Sequence, residues 1–383
     1  MLPTLDLAFD GSAGPHEARI RLTAGRRPIG PIFFRCETAP LAANAGALLC
    51  LGLIPAMEVH APLRVAGPVD PALLASAAAI QDLLRSWYPA YRTVPVTADA
   101  ADRAYPAGRG SALFYSGGID SSHSLAQEKD RLDALVTIVD ASAPGRPGPA
   151  GERLVAALSR AAAAYGLEPV VIETNVRAVM QPYLGWIEFH GSAMAAIRHL
   201  LADRFETMLI ASSGDETSWS TPWGSHPALD PLLGTPGARI EHHGLVKRLD
   251  KIRSILTQPV LMEHLHICNS DPRVNCGRCT KCHFAMACLE VLDAVDDAPG
   301  FPRHPRDAPY RFHVADDATR SEYVHLRAAA SATGRCGGLV ADVDRALATY
   351  DGARRWRSGL DTGALGQRLK RAKHRARYWR ASR

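Results

Sequence analysis

From residue 112 onwards short apolar runs alternate with longer segments of helical period. The runs "ALFYS" (112–116), "ALVTIVD" (134–140), "PVVIET" (169–174) and "TMLIAS" (207–212) are bulky and rich in β-branched residues, as strands covered on both faces should be. Between them the spacing predicts helices over 120–129, 151–166 and about 187–202, and "ARIEHH" (238–243) reads as a fifth strand. Strands joined by helices of this length imply right-handed crossovers, a parallel sheet and a doubly wound α/β fold. In such sheets a ligand sits beyond the carboxyl ends of the strands, where strand order reverses.

The first hundred residues follow a different pattern. "ARIRL" and "IFFRC" alternate, and "PALLASAAAIQDLLRSWYP" (71–89) is helical, so a small α+β domain is expected at 1–105, with "PAGRG" (106–110) as its boundary. The main α/β domain then covers 106–265, a cysteine-bearing segment 266–300 and a helical extension 301–383. The apolar stretch 41–57 is broken by Asn44, Gly46, Gly52 and Pro55, and no run approaches the ~20 apolar residues of a membrane span. With 383 residues, 47% hydrophobic and 22% charged, the chain has ordinary globular values, and a cytoplasmic protein without a membrane partner is expected. The net charge of +5 comes largely from 354–383, where eleven Lys or Arg face the single acid Asp361. Such a tail can meet nucleic acid, but its interleaved Leu, Ala, Tyr and Trp favour an amphipathic helix docked on the body.

The first strand runs into "SGGIDSS" (116–122). Gly117 and Gly118 allow close backbone approach at a helix N-terminus, where free N–H groups and the helix dipole favour an anion. Ser116, Ser121 and Ser122 add hydroxyls. Asp120 beside a phosphate needs a cation between them, which makes it a candidate Mg²⁺ ligand; the plain alternative is a helix cap after a flexible turn. Asp140 and the following "ASAPGRPGPAG" loop suit contacts with a base or ribose. After the fourth strand, the long 212–234 loop carries Asp215, Asp230, His226, Trp219 and Trp223, a candidate acceptor-binding lid. Arg248 and Lys251, in "LVKRLDKIRSI", are candidates for phosphate contact or a solvated helix face.

Cys268, Cys276, Cys279 and Cys282 are separated by seven, two and two residues. Two consecutive C-x-x-C steps converge on one ion, and Gly277 permits the tight turn that aims N–H groups at sulfur. Zn²⁺ on four thiolates is the first expectation, with an iron–sulfur cluster or a redox pair as alternatives. His283 is expected beside the site or exposed, not as a ligand. Cys36, Cys50, Cys288 and Cys336 lack partners in spacing and read as buried small hydrophobes.

"SGGIDS" resembles the Ser-Gly-Gly-x-Asp-Ser loop of the PP-loop ATP pyrophosphatases, a family with a Rossmann-type α/β fold that splits ATP into AMP and pyrophosphate while adenylating a substrate oxygen. The cysteine spacing behind it resembles the 7-cyano-7-deazaguanine synthase branch. That resemblance implies zinc on Cys268, Cys276, Cys279 and Cys282, ATP on Ser116, Gly117, Gly118, Asp120, Ser121 and Ser122, and a phosphate-reaching Lys251. It covers about residues 111–290; the branch's Ser-Gly-Tyr-Pro-Asp-Cys-Arg segment is replaced here by "PWGSHPALDP". In this feature and in its N-terminal extension the chain is more similar to bacterial PP-loop proteins without an assigned substrate. The implied activity is an AMP-producing ligase that activates a carboxylate or carbonyl oxygen of a small molecule for attack by ammonia or an amine. Asp120, Asp215 and Lys251 would be catalytic, with Asp140 and Arg248 on the nucleotide. The chain begins Met1-Leu2, without the N-terminal cysteine of a glutaminase, so nitrogen would come free or from a partner. A PP-loop enzyme of tRNA sulfur transfer or amidation, and a nucleotide sensor without turnover, are the alternatives; a homodimer is left open.

Overall fold

The computed structural model describes residues 3–11, 13–102, 104–105, 108–305, 308–357 and 362–382. The chain opens with β1 (Leu5–Phe9), β2 (Glu17–Ala24), β3 (Arg27–Arg35), α1 (Ala45–Val59), β4 (Leu63–Val69), α2 (Pro71–Trp87) and β5 (Val96–Ala100). Part of the expected 106–110 boundary, residues 106 and 107, lies outside the described residues. There follow β6 (Ser111–Phe114), α3 (Ile119–Glu128), β7 (Ala134–Ala143), a short return strand β8 (Arg146–Pro147), α4 (Gly151–Tyr165), β9 (Glu168–Thr174), α5 (Val176–Met180), α6 (Trp186–Leu200), β10 (Thr207–Ala211) and β11 (Arg239–His243). Helices α7 (Arg248–Ile255), α8 (Pro259–Glu263), α9 (Thr280–Val291), α10 (Asp317–Thr333), α11 (Gly337–Arg357) and α12 (Thr362–Ala381) complete it.

The fold is α/β, and its large sheet is mostly parallel. Strand order is β11-β10-β6-β7-β9-β3-β2-β1-β4-β5, with β8 beside β7. The run from β11 to β9 is parallel throughout. From β6 the chain builds outward to β7 and β9, then returns to place β10 and β11 on the other side. Strand order therefore reverses between β6 and β10, which opens a crevice between the loops that follow them. Alternation along the strands feeds two cores, one on each face. Phe114, Val136, Ile172 and Ile210 meet α1 and α6 on one face, while Leu113, Leu135 and Leu209 meet α4, α7 and α9 on the other.

The N-terminal segment has the expected α+β content and shares this sheet. β3 joins β9 antiparallel through Phe34 opposite Thr174 and Arg35 opposite Glu173. Asn175 fastens the seam, accepting from Phe33 N (2.9 Å) and donating to Pro31 O (3.0 Å). Every residue of α1 is buried, which explains the apolar 41–57 stretch as a helix inside the shared core. Among the described residues no helix is long and apolar enough to cross a membrane.

The basic tail docks. In α12, Arg371 and His374 are buried against Glu58 of α1, His374 Nδ1 at 2.8 Å, and Tyr378 donates to Pro3 O at 2.8 Å. The Arg371 guanidinium also lies 4.5 Å from the Tyr91 ring centroid. A buried cation that loses its carboxylate is costly, about 3–5 kcal/mol. Glu58→Gln is expected to lower unfolding free energy in urea by about that amount, and to speed tryptic cleavage within α12.

Candidate functional site

The turn after β6 is shaped by Gly117, whose φ of 72° lies in the left-handed region. A Cβ there would come within 3.3 Å of Ala157 Cβ, a tight but adjustable contact, so it is the backbone conformation that favours glycine. The turn is closed from inside: Ser121 Oγ accepts from Ser116 N (3.2 Å), lies 3.3 Å from Ser116 Oγ and donates to Gly118 O (3.3 Å). Gly118 caps α3 without a side-chain hydrogen bond, which leaves the N–H groups of the first turn without a side-chain cap. Of the three serines, Ser116 is exposed, Ser121 nearly buried and Ser122 fully buried. The hydroxyls of Ser122 and Tyr115 beneath the turn have no hydrogen-bond partner of good geometry.

Asp120 lies in the first turn of α3, and the charges of the crevice gather on it. Lys251, 0% exposed, donates from Nζ to Asp120 Oδ1 (2.8 Å) and to Ser212 O at the end of β10 (2.6 Å). Arg248 Nε is 4.0 Å from the same Oδ1. Burial alone would raise the Asp120 carboxyl, but Lys251, Arg248 and Lys281 outweigh it and hold the group below its ordinary 3.8. Lys251 is thus no solvated-face residue. The helix that carries it buries Leu249, Ile252 and Ile255 with it, and His123 Nδ1 to Ser254 Oγ (2.6 Å) ties α3 to α7. Burial and the neighbouring Lys251 push His123 down to about 4, so its ring adds no further positive charge beside Asp120 near neutral pH.

Asp215 stands across the crevice. It caps the 3₁₀ turn Glu216–Ser220 by accepting from Thr217 N (3.2 Å), and pairs with Lys247 at 2.8 Å. Burial pushes its carboxyl up, and the bonds from Lys247 and Thr217 more than reverse that, holding it below its ordinary range. Asp215, Ser212 and Arg248 line one cavity of about 140 Å³. The 212–234 loop is compact, with a second 3₁₀ turn at Asp230–Leu233, while Trp219 and Trp223 stay 51% and 37% exposed at its surface. Asp140 lies elsewhere: it lines a separate cavity of about 360 Å³ at the carboxyl end of β7, with Arg177 3.6 Å away. A further cavity of about 1000 Å³, between α9 and α11, shares no lining residue with these loops.

The four cysteine sulfurs lie within 4.8 Å of one another, close enough to hold one metal ion such as zinc. A tetrahedral ion with Zn–S near 2.3 Å sets S···S edges of about 3.8 Å; Cys268 and Cys279 sulfurs are 3.8 Å apart, far beyond a disulfide bond. Backbone N–H groups converge on sulfur, Asp271 N on Cys268 (3.3 Å), Arg278 N and Cys279 N on Cys276 (3.4 Å each) and Cys282 N on Cys279 (3.5 Å). Against the cost of burial, the Cys282 N–H and neighbouring thiols hold Cys279 down to about 6. The donor set fits a thiolate-bound cation. Gly277, at φ 64°, makes the turn, and a Cβ there would strike Pro302 Cγ at 2.3 Å. Of the two placements expected for His283, beside the site or exposed, it takes a buried one next to Cys282, where Arg311 N donates to its Nδ1 (3.2 Å). The other cysteines, Cys36, Cys50, Cys288 and Cys336, are buried and unpaired.

No family model matches the chain, and no curated protein matches it. The site therefore has to be read from its own geometry.

That geometry joins the cysteine segment to the Gly117 turn. His266 N donates to Gly117 O (2.9 Å), and Asn275 holds the intervening backbone through Leu265 O (2.8 Å) and Ile267 N (3.0 Å). Several residues in the crevice had no sequence signal of their own. Arg153 of α4 reaches Ser116 O (3.4 Å) and Pro272 O (3.0 Å), and Lys281 acts on Asp120 from between two cysteines. His242 and Glu322 are the others, and only the two adjacent histidines at the end of a predicted strand offered a hint.

Cys279→Ala is expected to abolish metal retention, read by elemental analysis, and to lower Tm. Asp120→Asn leaves a buried ammonium without its carboxylate; because Asp120 is itself 29% exposed, the expected loss is about 2–3 kcal/mol, below the range for a fully buried pair. The lowered carboxyl contributes stability that is complete above its unfolded value and is lost as pH falls through the folded one. The gap between the urea melts of wild type and Asp120→Asn should therefore narrow progressively as pH falls below about 4.

Proposed function

We propose that the chain is an ATP-dependent adenylating enzyme that activates a carboxylate or carbonyl oxygen of a small molecule, releases AMP and pyrophosphate, and passes the activated group to ammonia or an amine. The observation that carries this reading is the meeting, at the strand-order reversal, of an uncapped helix N-terminus over Gly117 with Lys251, Arg248 and Lys281 around Asp120. Triphosphate on the α3 N–H groups meets both the dipole and those cations. The apolar cavity at β7, lined by Ile138, Trp186 and Met194 beside Asp140, has room for a nucleoside.

A carboxylate is a poor electrophile, because its negative oxygens repel nucleophiles and oxide is a poor leaving group. Adenylation replaces that leaving group with AMP. In this reading the backbone at Gly117 and Gly118 orients the triphosphate for attack at the α-phosphorus, while Arg248 and Lys281 offset charge on the departing pyrophosphate. Lys251 keeps Asp120 ionised and fixed. A partly exposed, ionised carboxylate fits a hard cation, and Mg²⁺ held there would supply further charge neutralisation. Asp215 faces the acceptor from the opposite wall. The four-thiolate site is closed to substrate, so its zinc is structural: it fixes the 264–268 backbone against the Gly117 turn. Burial of all four remaining cysteines supports nitrogen over persulfide sulfur as the nucleophile.

Turnover with ATP and a mixture of carboxylic acids should yield AMP and pyrophosphate; stoichiometric ADP would refute the chemistry. Asp120→Asn should weaken MgATP binding about tenfold or more in calorimetric titration, with parallel loss of turnover. Asp215→Asn should keep ATP affinity and lose roughly 100-fold in adenylation. Equal affinity in wild type and Asp120→Asn would leave the turn as no more than a helix start.

A further inference from the structure

The cavity of about 140 Å³ beside Arg248 is too small for a nucleotide and is lined by groups that match a small cation. Glu322 of α10 is 5% exposed; its Oε2 accepts from Arg248 N (3.0 Å), whereas its Oε1 is buried without a hydrogen-bond partner. A buried carboxylate oxygen left unpaired is costly and calls for an N–H or O–H donor. Asp316, which caps α10, and Asp215 add negative charge to the same walls.

The opposite wall holds a base in a fixed tautomer. Asp230 is 0% exposed and accepts from Ser225 Oγ (2.7 Å), His226 N (3.1 Å) and His242 Nδ1 (2.7 Å). With Nδ1 donating to Asp230, the neutral form of His242 keeps a lone pair on Nε2, and His242 is one of the residues that line the cavity. His226 does not share this role: its Nδ1 accepts from Ala228 N (3.0 Å) and its Nε2 donates to Trp219 O (3.1 Å). The cavity adjoins the reacting centre through Ser212, whose carbonyl holds Lys251 against Asp120.

We propose that this cavity seats the nitrogen nucleophile, ammonia or a short primary amine, with Glu322 Oε1 accepting its N–H and His242 Nε2 taking the proton released as the C–N bond forms. The inference rests on the adenylation reading for its chemistry but not for its binding site. The bound ammonium first gives one proton through His242 to solvent; the neutral amine then attacks the adenylated carbonyl carbon, the C–O bond to AMP breaks, AMP leaves with the electron pair, and a second N–H proton passes to His242 and on to solvent. No oxidant or reductant is involved. Asp230 acts as a positioning residue through His242.

Thermal melts of the full chain with methylammonium chloride, against tetramethylammonium chloride at matched ionic strength, test the site without turnover. Methylammonium should raise Tm in a saturable way; tetramethylammonium, which has no N–H, should not. Glu322→Gln keeps an oxygen for the Arg248 N–H but puts an amide NH₂ in place of the unpartnered Oε1, and Ala318→Leu adds bulk to the cavity lining from α10 without altering charge. Each should abolish the rise. No methylammonium-specific shift in wild type, or an undiminished shift in either variant, overturns the site. The base is read separately: with ATP, mixed carboxylic acids and methylamine, His242→Asn should keep ATP–pyrophosphate exchange and lose roughly 100-fold in amide formation, and equal losses in both overturn its role. A methylammonium shift without exchange refutes adenylation and leaves the amine site standing; exchange without the shift refutes the amine site alone.

Discussion

One buried ammonium holds the crevice together. Lys251 is withdrawn completely from water, and that is tolerable only because Asp120 and the Ser212 carbonyl meet it at 2.8 and 2.6 Å. The requirement works in both directions. It pins the first turn of α3 and the end of β10 to α7, so the two loops that diverge where strand order reverses are held at a fixed separation. Arg248, one turn earlier on α7, is thereby aimed at the same carboxylate, and its backbone N–H becomes the anchor for Glu322 of α10.

Around this pair the chain adds supports that are remote in sequence. The cysteine segment brings His266 to the Gly117 carbonyl and Lys281 into the field of Asp120, so a metal held by the four thiols would brace the turn from outside the crevice. The C-terminal helices close the crevice from the far side, α10 supplying one wall of the small cavity. On the opposite flank, β1 to β5 extend the sheet from β9, and α1, buried along its whole length, welds the extension to the main core. The N-terminal strands thus stiffen the edge of the sheet on which the β7 cavity depends.

The alternation of apolar strands with helical segments was legible because it is local. β6, β7, β9, β10 and β11 fall where the period placed them, and so do α3, α4 and α6. The four cysteines and Gly277 were legible for the same reason, since a metal-binding turn is written in consecutive spacing. The seam between β3 and β9 was not. It joins positions about 140 residues apart through Phe34 and Thr174, and nothing in either strand's own pattern names the other as its neighbour.

The sequence by itself determined the α/β class, the turn whose backbone favours glycine and the four thiols that can share one ion, because each is set by periodicity, left-handed backbone or short-range spacing. Tertiary structure decided the electrostatics. Lys251 and Arg248 sit in a segment whose charge pattern equally describes a solvated helix; burial of Leu249, Ile252 and Ile255 in the core beside α3 turned Lys251 inward to Asp120. Asp230 with His242, and Glu322 with Arg248, became pairs in the same way. A side chain's charge partner depends on which surfaces are buried together, and burial is a property of the whole fold.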